Sequence, residues 1–391
     1  MATLGEALAT SVFKDGDWVE SKDQDPDGDV RLVQMADVGD GYYLDKSARY
    51  LTSDTAMRLR CTYLEPGDLL LSRMPDPLGR CCVFPGDDKA SVTVVDVCII
   101  RPDPGVFDAR WLMHCINSPL LRRQIVRFAT GTTRARISRS NLAKIQIPLP
   151  SLEEQRRIAA ILDHADALRA KRREALARLD ELAQSIFIDM FGDPRGADRR
   201  PLGEVATVQI GPFGSLLHKE DYVSDGIPLV NPMHIVDGTV RADPEFSVSH
   251  QKFKELAAYH LVPGDVVMGR RGEMGRCAVV DTDAGDLLCG TGSLVIRPIQ
   301  DISTPGYLRF ALSTSSVKRG LEEASLGATM PNLNRKIVES FELVVPPYAA
   351  QIQFENRARS LSALKGQHQR ALAELDALFV SLQSRAFRGE L

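Results

Sequence analysis

The chain has no apolar run long enough to cross a bilayer. Its longest, such as residues 92–100, are interrupted by polar side chains, whereas a spanning helix needs about 20 consecutive apolar residues. Residues 1–10 lack the basic start and apolar centre of a secretory leader, so a cytoplasmic location is expected. The seven cysteines are odd in number, none stands in a C-x-x-C spacing, and Cys81 and Cys82 are adjacent. That argues against a disulfide framework or a zinc site and for reduced, buried thiols. The seven histidines show no metal-ligand spacing, and no G-x-x-x-x-G-K-[ST] loop is present to cradle a nucleotide phosphate. Positive charge is not in excess either. With 48 basic and 52 acidic residues the formal net charge is −4, which argues against a protein coated with nucleic-acid-binding cations.

One shortage is local. Residues 109–152 contain no Asp or Glu, yet they hold Arg110, Arg122, Arg123, Arg127, Arg134, Arg136, Arg139 and Lys144. Such a stretch creates a positive field that attracts phosphate even on a slightly acidic chain. A solvated helix face followed by a polar loop would have the same composition.

What the chain does have is a long internal repeat. Leu64-Glu-Pro-Gly-Asp68 matches Leu261-Val-Pro-Gly-Asp265, Gly79-Arg-Cys81 matches Gly275-Arg-Cys277, and Ile100-Arg-Pro102 matches Ile296-Arg-Pro298. Beyond these the offset stays at 196 residues: Gly131 answers Gly327, Thr133 answers Thr329, Pro150 answers Pro346, Gln155 answers Gln351, and Leu179-Asp180 answers Leu375-Asp376. Colinear matches on turns and core positions together mark two copies of one unit. Within each copy, β-branched and aromatic runs bounded by Gly, Pro and Asp predict short strands: residues 63–72, 81–84 and 92–100, then 205–210, 265–268 and 293–296. One helix is expected in each, over residues 109–128 and 305–323. Each unit therefore reads as α+β, with the Pro-Gly-Asp turn delivering a strand that ends near Arg73 in one copy and Arg270 in the other.

A long helix closes each copy. Ser151 with Glu154 three residues on forms a capping-box signal, and Gly192 and Pro194 supply a stop. Between them Ile158, Ile161, Ala165, Leu168, Leu179, Leu182 and Ile186 recur at alternating three- and four-residue steps, as in a coiled-coil seam. The second copy repeats the seam with Phe354, Leu361, Leu364, Leu375, Leu378 and Leu382, and both carry a polar residue at the same place, Arg172 and His368. Pairing of the two helices within one chain requires them to run antiparallel, with Arg172 and His368 close together. At 1.5 Å per residue each would span about 57 Å. Two related heads on such a frame suit a reader of two DNA half-sites; a scaffold whose heads bind protein or carbohydrate fits the pattern as well.

Particular residues then point to a family. I-P-L-P-S-L-E-E-Q-R-R-I-A-A-I-L-D (from Ile147), L-D-E-L-x-x-S-I-F-x-x-M-F-G-D (from Leu179), I-G-P-F-G-S-L-L-H-K-E-D-Y (from Ile210), G-I-P-L-V-N-P (from Gly226) and the terminal A-F-R-G-E-L (from Ala386) resemble the specificity (S) subunits of type I restriction-modification enzymes over essentially the whole length. The resemblance implies a target recognition domain at residues 1–150, a helix at 151–193, a second target recognition domain at 194–346 and a second helix at 347–391. It also implies a bipartite site on double-stranded DNA, one half per domain, and docking of two methyltransferase (M) subunits and, in the full complex, two restriction (R) subunits. No cofactor is expected in this chain: S-adenosylmethionine would belong to the M subunit, ATP and Mg to the R subunit. Catalysis is not expected either, because Val345-Pro-Pro-Tyr348 has Val where an amino-methyltransferase needs Asn or Asp. The second helix departs from the family pattern at its start, where Pro347-Tyr-Ala-Ala350 replaces the capping box. Expected DNA contacts are Arg73, Arg80, Arg134, Arg136 and Arg139 in the first domain, and Arg270, Arg271, Arg276, Asn332, Asn334, Arg335 and Lys336 in the second. Each lies in a Gly-rich turn or in the loop after Gly131 or Gly327. The competing reading is a coiled-coil scaffold without DNA sequence recognition.

Overall fold

The computed structural model describes the chain except residues 76, 132–133, 194–198, 273 and 326–331. The repeat positions Thr133, Gly327 and Thr329 and the helix stop at Pro194 therefore lie outside the described residues. The chain divides into two units, Met1–Glu174 with Gln369–Leu391, and Ala175–His368.

In the first unit a four-stranded antiparallel sheet runs in the order Val12–Asp15, Val97–Arg101, Leu69–Ser72, Cys81–Val83. Its side chains alternate between two cores, as strand geometry dictates. Leu69, Leu71, Cys98 and Ile100 face a core with Trp111 and Leu112, while Leu70, Val97 and Ile99 meet Val33, Val38 and Phe84 on the other side. Burial on both faces explains why these strands read as unbroken apolar runs. A smaller sheet of Tyr50–Leu51, Val30–Val33 and Ala90–Thr93 lies alongside in sequence and includes one parallel pair.

The second unit repeats this plan with Ala206–Ile210, Ser293–Pro298, Val266–Gly269 and Cys277–Val279. Its second sheet is larger, five strands in the order Tyr222–Val223, Ser247–Val248, Ile227–Val230, Leu287–Cys289, His260–Leu261.

The Pro-Gly-Asp turns work as the sequence implies. Gly67 and Gly264 sit at φ +95° and +91°, a conformation open to glycine without a Cβ clash. The aspartate that follows is fully buried in each unit: Asp68 takes the Glu65 N–H and a two-pronged Arg101, and Asp265 takes the Val262 N–H and Arg297.

Each helix expected beyond the sheet is in fact two. Ala109–Asn117 and Pro119–Phe128 break at Ser118, because Pro119 cannot donate to the preceding turn and disfavours the helical conformation at Ser118. Pro305–Ser313 and Ser315–Ser325 break at Thr314, whose hydroxyl turns back to the Ala311 carbonyl at 2.8 Å. All seven cysteines are unpaired, and burial raises their thiols, Cys61 to about 11 and Cys82 to about 12.

The long helices are Leu152–Phe191, 40 residues, and Tyr348–Ala386, 39 residues. In the first unit Arg157 reaches the Leu391 carbonyl at 2.8 Å and Arg169 meets Asp376 at 2.6 Å, so the helix segments there run antiparallel. In the second unit Phe187 packs on Phe354 with ring centres 5.2 Å apart, and Lys365 meets Asp180 at 2.7 Å, again antiparallel. Arg169–Asp376 and Lys365–Asp180 are the same ion pair in the repeat. At the first helix start the Ser151 hydroxyl accepts the Glu154 N–H at 3.3 Å, but the Glu154 carboxylate is turned to Arg157. Gly192, at φ +69°, ends it. The second helix is regular from Tyr348, its first amides served by the Pro347 carbonyl.

The seam differs from expectation in one respect. Ile158, Ala165 and Phe354 are buried, and Ile161, Leu179, Ile186, Leu361, Leu375, Leu382, Arg172 and His368 are half-buried. Leu168, Leu182, Leu364 and Leu378 are instead 40%, 45%, 40% and 49% exposed. The reason is that the helix segments in each unit also pack on that unit's globular part, so the buried stripe turns toward Ala159, Leu162 and Phe379 in one unit and Phe187 in the other. No described helix is long and apolar enough to cross a membrane.

Candidate nucleic-acid interface

The residues expected to meet DNA converge at one edge of each four-stranded sheet. Arg73 follows the strand Leu69–Ser72, and its backbone is stitched on both sides: its N–H donates to Asp96 O at 2.9 Å, and its carbonyl accepts the Ile137 N–H at 3.1 Å. Arg270 is held in the same way, by Gly292 O and the Leu333 N–H, both at 3.0 Å. These bonds tie Ile137 and Leu333 to the two strand ends.

In the first unit the loop before Ile137 is pinched at its neck by the Thr130 and Arg136 backbones, which exchange hydrogen bonds of 2.9 and 2.8 Å. Gly131 makes the pinch possible. It sits at φ +98°, and a Cβ there would lie 2.7 Å from the Arg134 carbonyl oxygen. Arg134 is exposed on this loop. Its neighbours are braced: Arg136 stands 2.7 Å from Asp96, and Arg139 donates to Phe13 O at 2.8 Å and lies 3.6 Å from Asp15. Arg73 is only 6% exposed and places its two terminal nitrogens on Asp15 and Val95 O, at 2.7 and 2.8 Å. Arg80 donates to Val38 O and Met35 O at 2.6 and 2.9 Å, so it holds the Met35–Asp37 turn in place.

That turn and Asp96 border an open groove of about 900 Å³, lined also by Trp18, Gln34, Lys46 and Arg49. Trp18 is 69% exposed. These four were missed from sequence. A signal did exist: Trp18 follows the strand end Asp15 by three residues, and Phe213, 57% exposed, follows the equivalent strand end Ile210 by three. Between them Gly16 and Gly211 make the same contacts, to Val97 O and Ser293 O.

In the second unit Arg270 is 5% exposed and donates from Nε to Asn332 at 2.9 Å. Arg271 is exposed, and Arg276 is half-buried beside the strand Cys277–Val279. Asn334 spends its side chain capping the short helix Arg335–Glu339, as Ser138 caps Arg139–Leu142 in the first unit. Arg335 pairs with Glu339 at 2.7 Å, and Lys336 is exposed. The expected set thus separates into exposed cations, Arg134 and Arg271 on loops and Lys336 on the short helix, and residues whose side chains are spent within their own unit, such as Arg73, Arg80, Arg136, Arg139 and Asn334. Among the described residues no group of three or more His, Cys, Asp or Glu is placed to hold a metal.

Residues 14–178 match the family model for the type I restriction modification DNA specificity domain. The MjaIX specificity subunit of Methanocaldococcus jannaschii is 20% identical over 386 residues, covering 93% of this chain and 87% of that one. The EcoBI specificity subunit of Escherichia coli is 24% identical over 177 residues, a match that takes in 44% of this chain and 37% of the relative. The fold matches the S subunit of M. genitalium with a TM-score of 0.55 at 17% identity, over 96% of this chain and 93% of that one. A chain from a structural study of complex assembly and conformational transition in a type I R-M system also gives 0.55, at 19% identity over 97% and 98% of the two chains. With the same α+β unit used twice, two long helices and a likeness in both sequence and fold, the chain is similar over nearly its whole length to the specificity (S) subunits of type I restriction-modification systems.

Proposed function

We propose that the chain reads a bipartite site on double-stranded DNA, one half through each unit. The observation that carries this is the doubled constellation: an arginine follows a central strand and is tied by its backbone to Ile137 or Leu333, and an exposed aromatic stands three residues past the neighbouring strand end, once with Arg73 and Trp18 and again with Arg270 and Phe213. One chain with two equivalent readers addresses two short sequences with an unread gap between them. Exposed cations such as Arg134, Arg271 and Lys336 take phosphates or base edges, while Arg73, Arg80, Arg136 and Arg139 hold the loops at a fixed angle. The groove beside Trp18 is the base-reading surface of the first unit in this reading. The division into target recognition domains at residues 1–150 and 194–346, with helices at 151–193 and 347–391, is part of the same proposal.

The exposed leucines support a partner for the helices. Leu168 answers Leu364, and Leu182 answers Leu378, at the repeat offset. Two equivalent apolar stripes suit two copies of one helical partner, the M subunit, with S-adenosylmethionine bound there. Two R subunits bringing ATP and Mg complete the cytoplasmic restriction complex.

Mapping methylated adenines genome-wide, with and without this chain beside its M partner, tests the reading. A split motif that vanishes with the chain is the expected result; an undivided motif, or none, would overturn it.

A further inference from the structure

The two arginines at the strand ends are equivalent by register but not by charge. In the first sheet Leu71, Cys98 and Asp15 lie in one cross-strand row; in the second sheet the same row is Met268, Leu294 and Ile210. Arg73 and Arg270 each follow that row by two residues. Asp15, which neutralises Arg73 at 2.7 Å, is therefore replaced by Ile210 in the second unit.

Among the described residues no acid stands beside Arg270 as Asp15 does beside Arg73. Its Nε rests on a neutral amide, Asn332, and its Nη1 is buried without a hydrogen-bond partner. The described flanking side chains add no negative charge: Phe213 has its ring centre 5.9 Å from the guanidinium carbon, and the next residue is Arg271. Burial lowers the affinity of this guanidinium for its proton, and Arg271 adds to the effect. A buried cation without a counter-charge is destabilising, and such a cost persists where function requires it. Asn332 is only half-buried and Phe213 largely exposed, so the cation lies just beneath the surface.

We infer that Arg270 is an anion seat for one DNA backbone phosphate at the second half-site, and that Arg73 has lost this role to Asp15 and serves the first unit as a brace. The inference rests on the DNA-reading function above. A phosphate is favoured over a guanine edge because only an anion supplies the missing counter-charge; base acceptors would leave the buried cation uncompensated. The two heads then hold DNA differently, the second by a pre-formed buried seat and the first by its exposed loop cations.

The test uses the chain in complex with its M partner and duplexes carrying the mapped site. Arg270→Gln should weaken binding about tenfold and nearly uniformly across sequences, and reduce the slope of log affinity against log salt by about one. Ile210→Asp, which restores the acid of the first unit, should cause the same loss of binding at a melting temperature no lower than that of Ile210→Asn, since both remove the Ile210 packing. Ile210→Asn controls for polarity alone and should bind like wild type. Arg73→Gln should lower the melting temperature and leave the salt slope unchanged. Unaltered affinity in Arg270→Gln, or equal losses in Ile210→Asp and Ile210→Asn, would overturn the seat. A loss confined to one base position with an unchanged slope would overturn the phosphate assignment in favour of a base contact. Wild-type complex without sequence preference would instead overturn the DNA reading itself.

Discussion

Arginine does two jobs in this chain, and exposure separates them. Those that brace loops are anchored on carboxylates or carbonyls of the same unit, as Arg73 is on Asp15 and Arg80 on Val38 and Met35. Arg134, exposed on a loop pinched by Gly131, is available to a ligand. Replacing Arg134 by Ala should weaken or relax recognition at the first half-site only, by about 1–3 kcal/mol, as read by binding to duplexes altered in one half at a time; equal losses at both halves would contradict independent heads. A second residue-scale expectation concerns acid. Partial burial pushes the Asp163 carboxyl up, but hydrogen bonds from His114 at 2.7 Å and from Arg110 outweigh it and hold the group at about 2. A carboxyl depressed on folding contributes stability that is fully present above its unfolded value near about 4 and is lost as pH falls from there toward about 2. Asp163→Asn should therefore unfold at lower urea than wild type at about pH 6, with the difference shrinking toward about pH 3. A gap that is independent of pH would show that packing, not the charge, is what Asp163 supplies.

Among the elements, the long helices are locked to their units by a device used twice. Gln155, 1% exposed, accepts the Asp108 N–H and donates to Val106 O and Pro150 O. Gln351, fully buried, accepts the Thr304 N–H and donates to Ile302 O and Pro346 O. One amide thus ties each helix start both to the chain entering it and to the segment that begins the first domain helix. Gln155→Ala or Gln351→Ala leaves three buried backbone groups unmatched and should cost about 2–4 kcal/mol in urea unfolding; a cost near zero would mean water replaces the amide. The exposed leucines make the opposite prediction. Leu168→Ser with Leu364→Ser should change the stability of the isolated chain by no more than about 0.5 kcal/mol yet reduce co-purification with the M subunit. Retained co-purification would place the partner on another face. The glutamine repeat was visible in sequence, but its role was not, because the partners are backbone groups about 50 residues away in the chain.

For the whole molecule, helix length is the proposed measure of the gap between half-sites. Removing seven residues, two turns, from the first long helix shortens it by about 10 Å, equal to about three base pairs at 3.4 Å each. Methylation mapping of such a variant should return the same two half-sites with a changed gap, and an unchanged gap would assign the spacing to something other than the helices. How much of this was legible beforehand follows from where the information is stored. Local rules recorded in the chain itself, namely the positive-φ glycines at Gly67 and Gly264, the Ser151 cap, the apolar stripes and the 196-residue repeat, determined the α+β units, the long helices and the doubled plan of the chain. The break in the first domain helix also has a local cause, Pro119 after Ser118, whereas the break at Thr314 has no proline to mark it. Tertiary structure alone decided which arginines are braces and which face outward, because a guanidinium's state depends on the carboxylate that the fold brings to it. It also decided that Leu168 and its equivalents stay exposed, since the helix stripe is shared between a neighbouring helix and a globular core that periodicity cannot see. The difference between Arg73 and Arg270 belongs to the same class. Sequence aligned them as equals, and only the cross-strand register, placing Asp15 beside one and Ile210 in the matching row beside the other, set their charges apart.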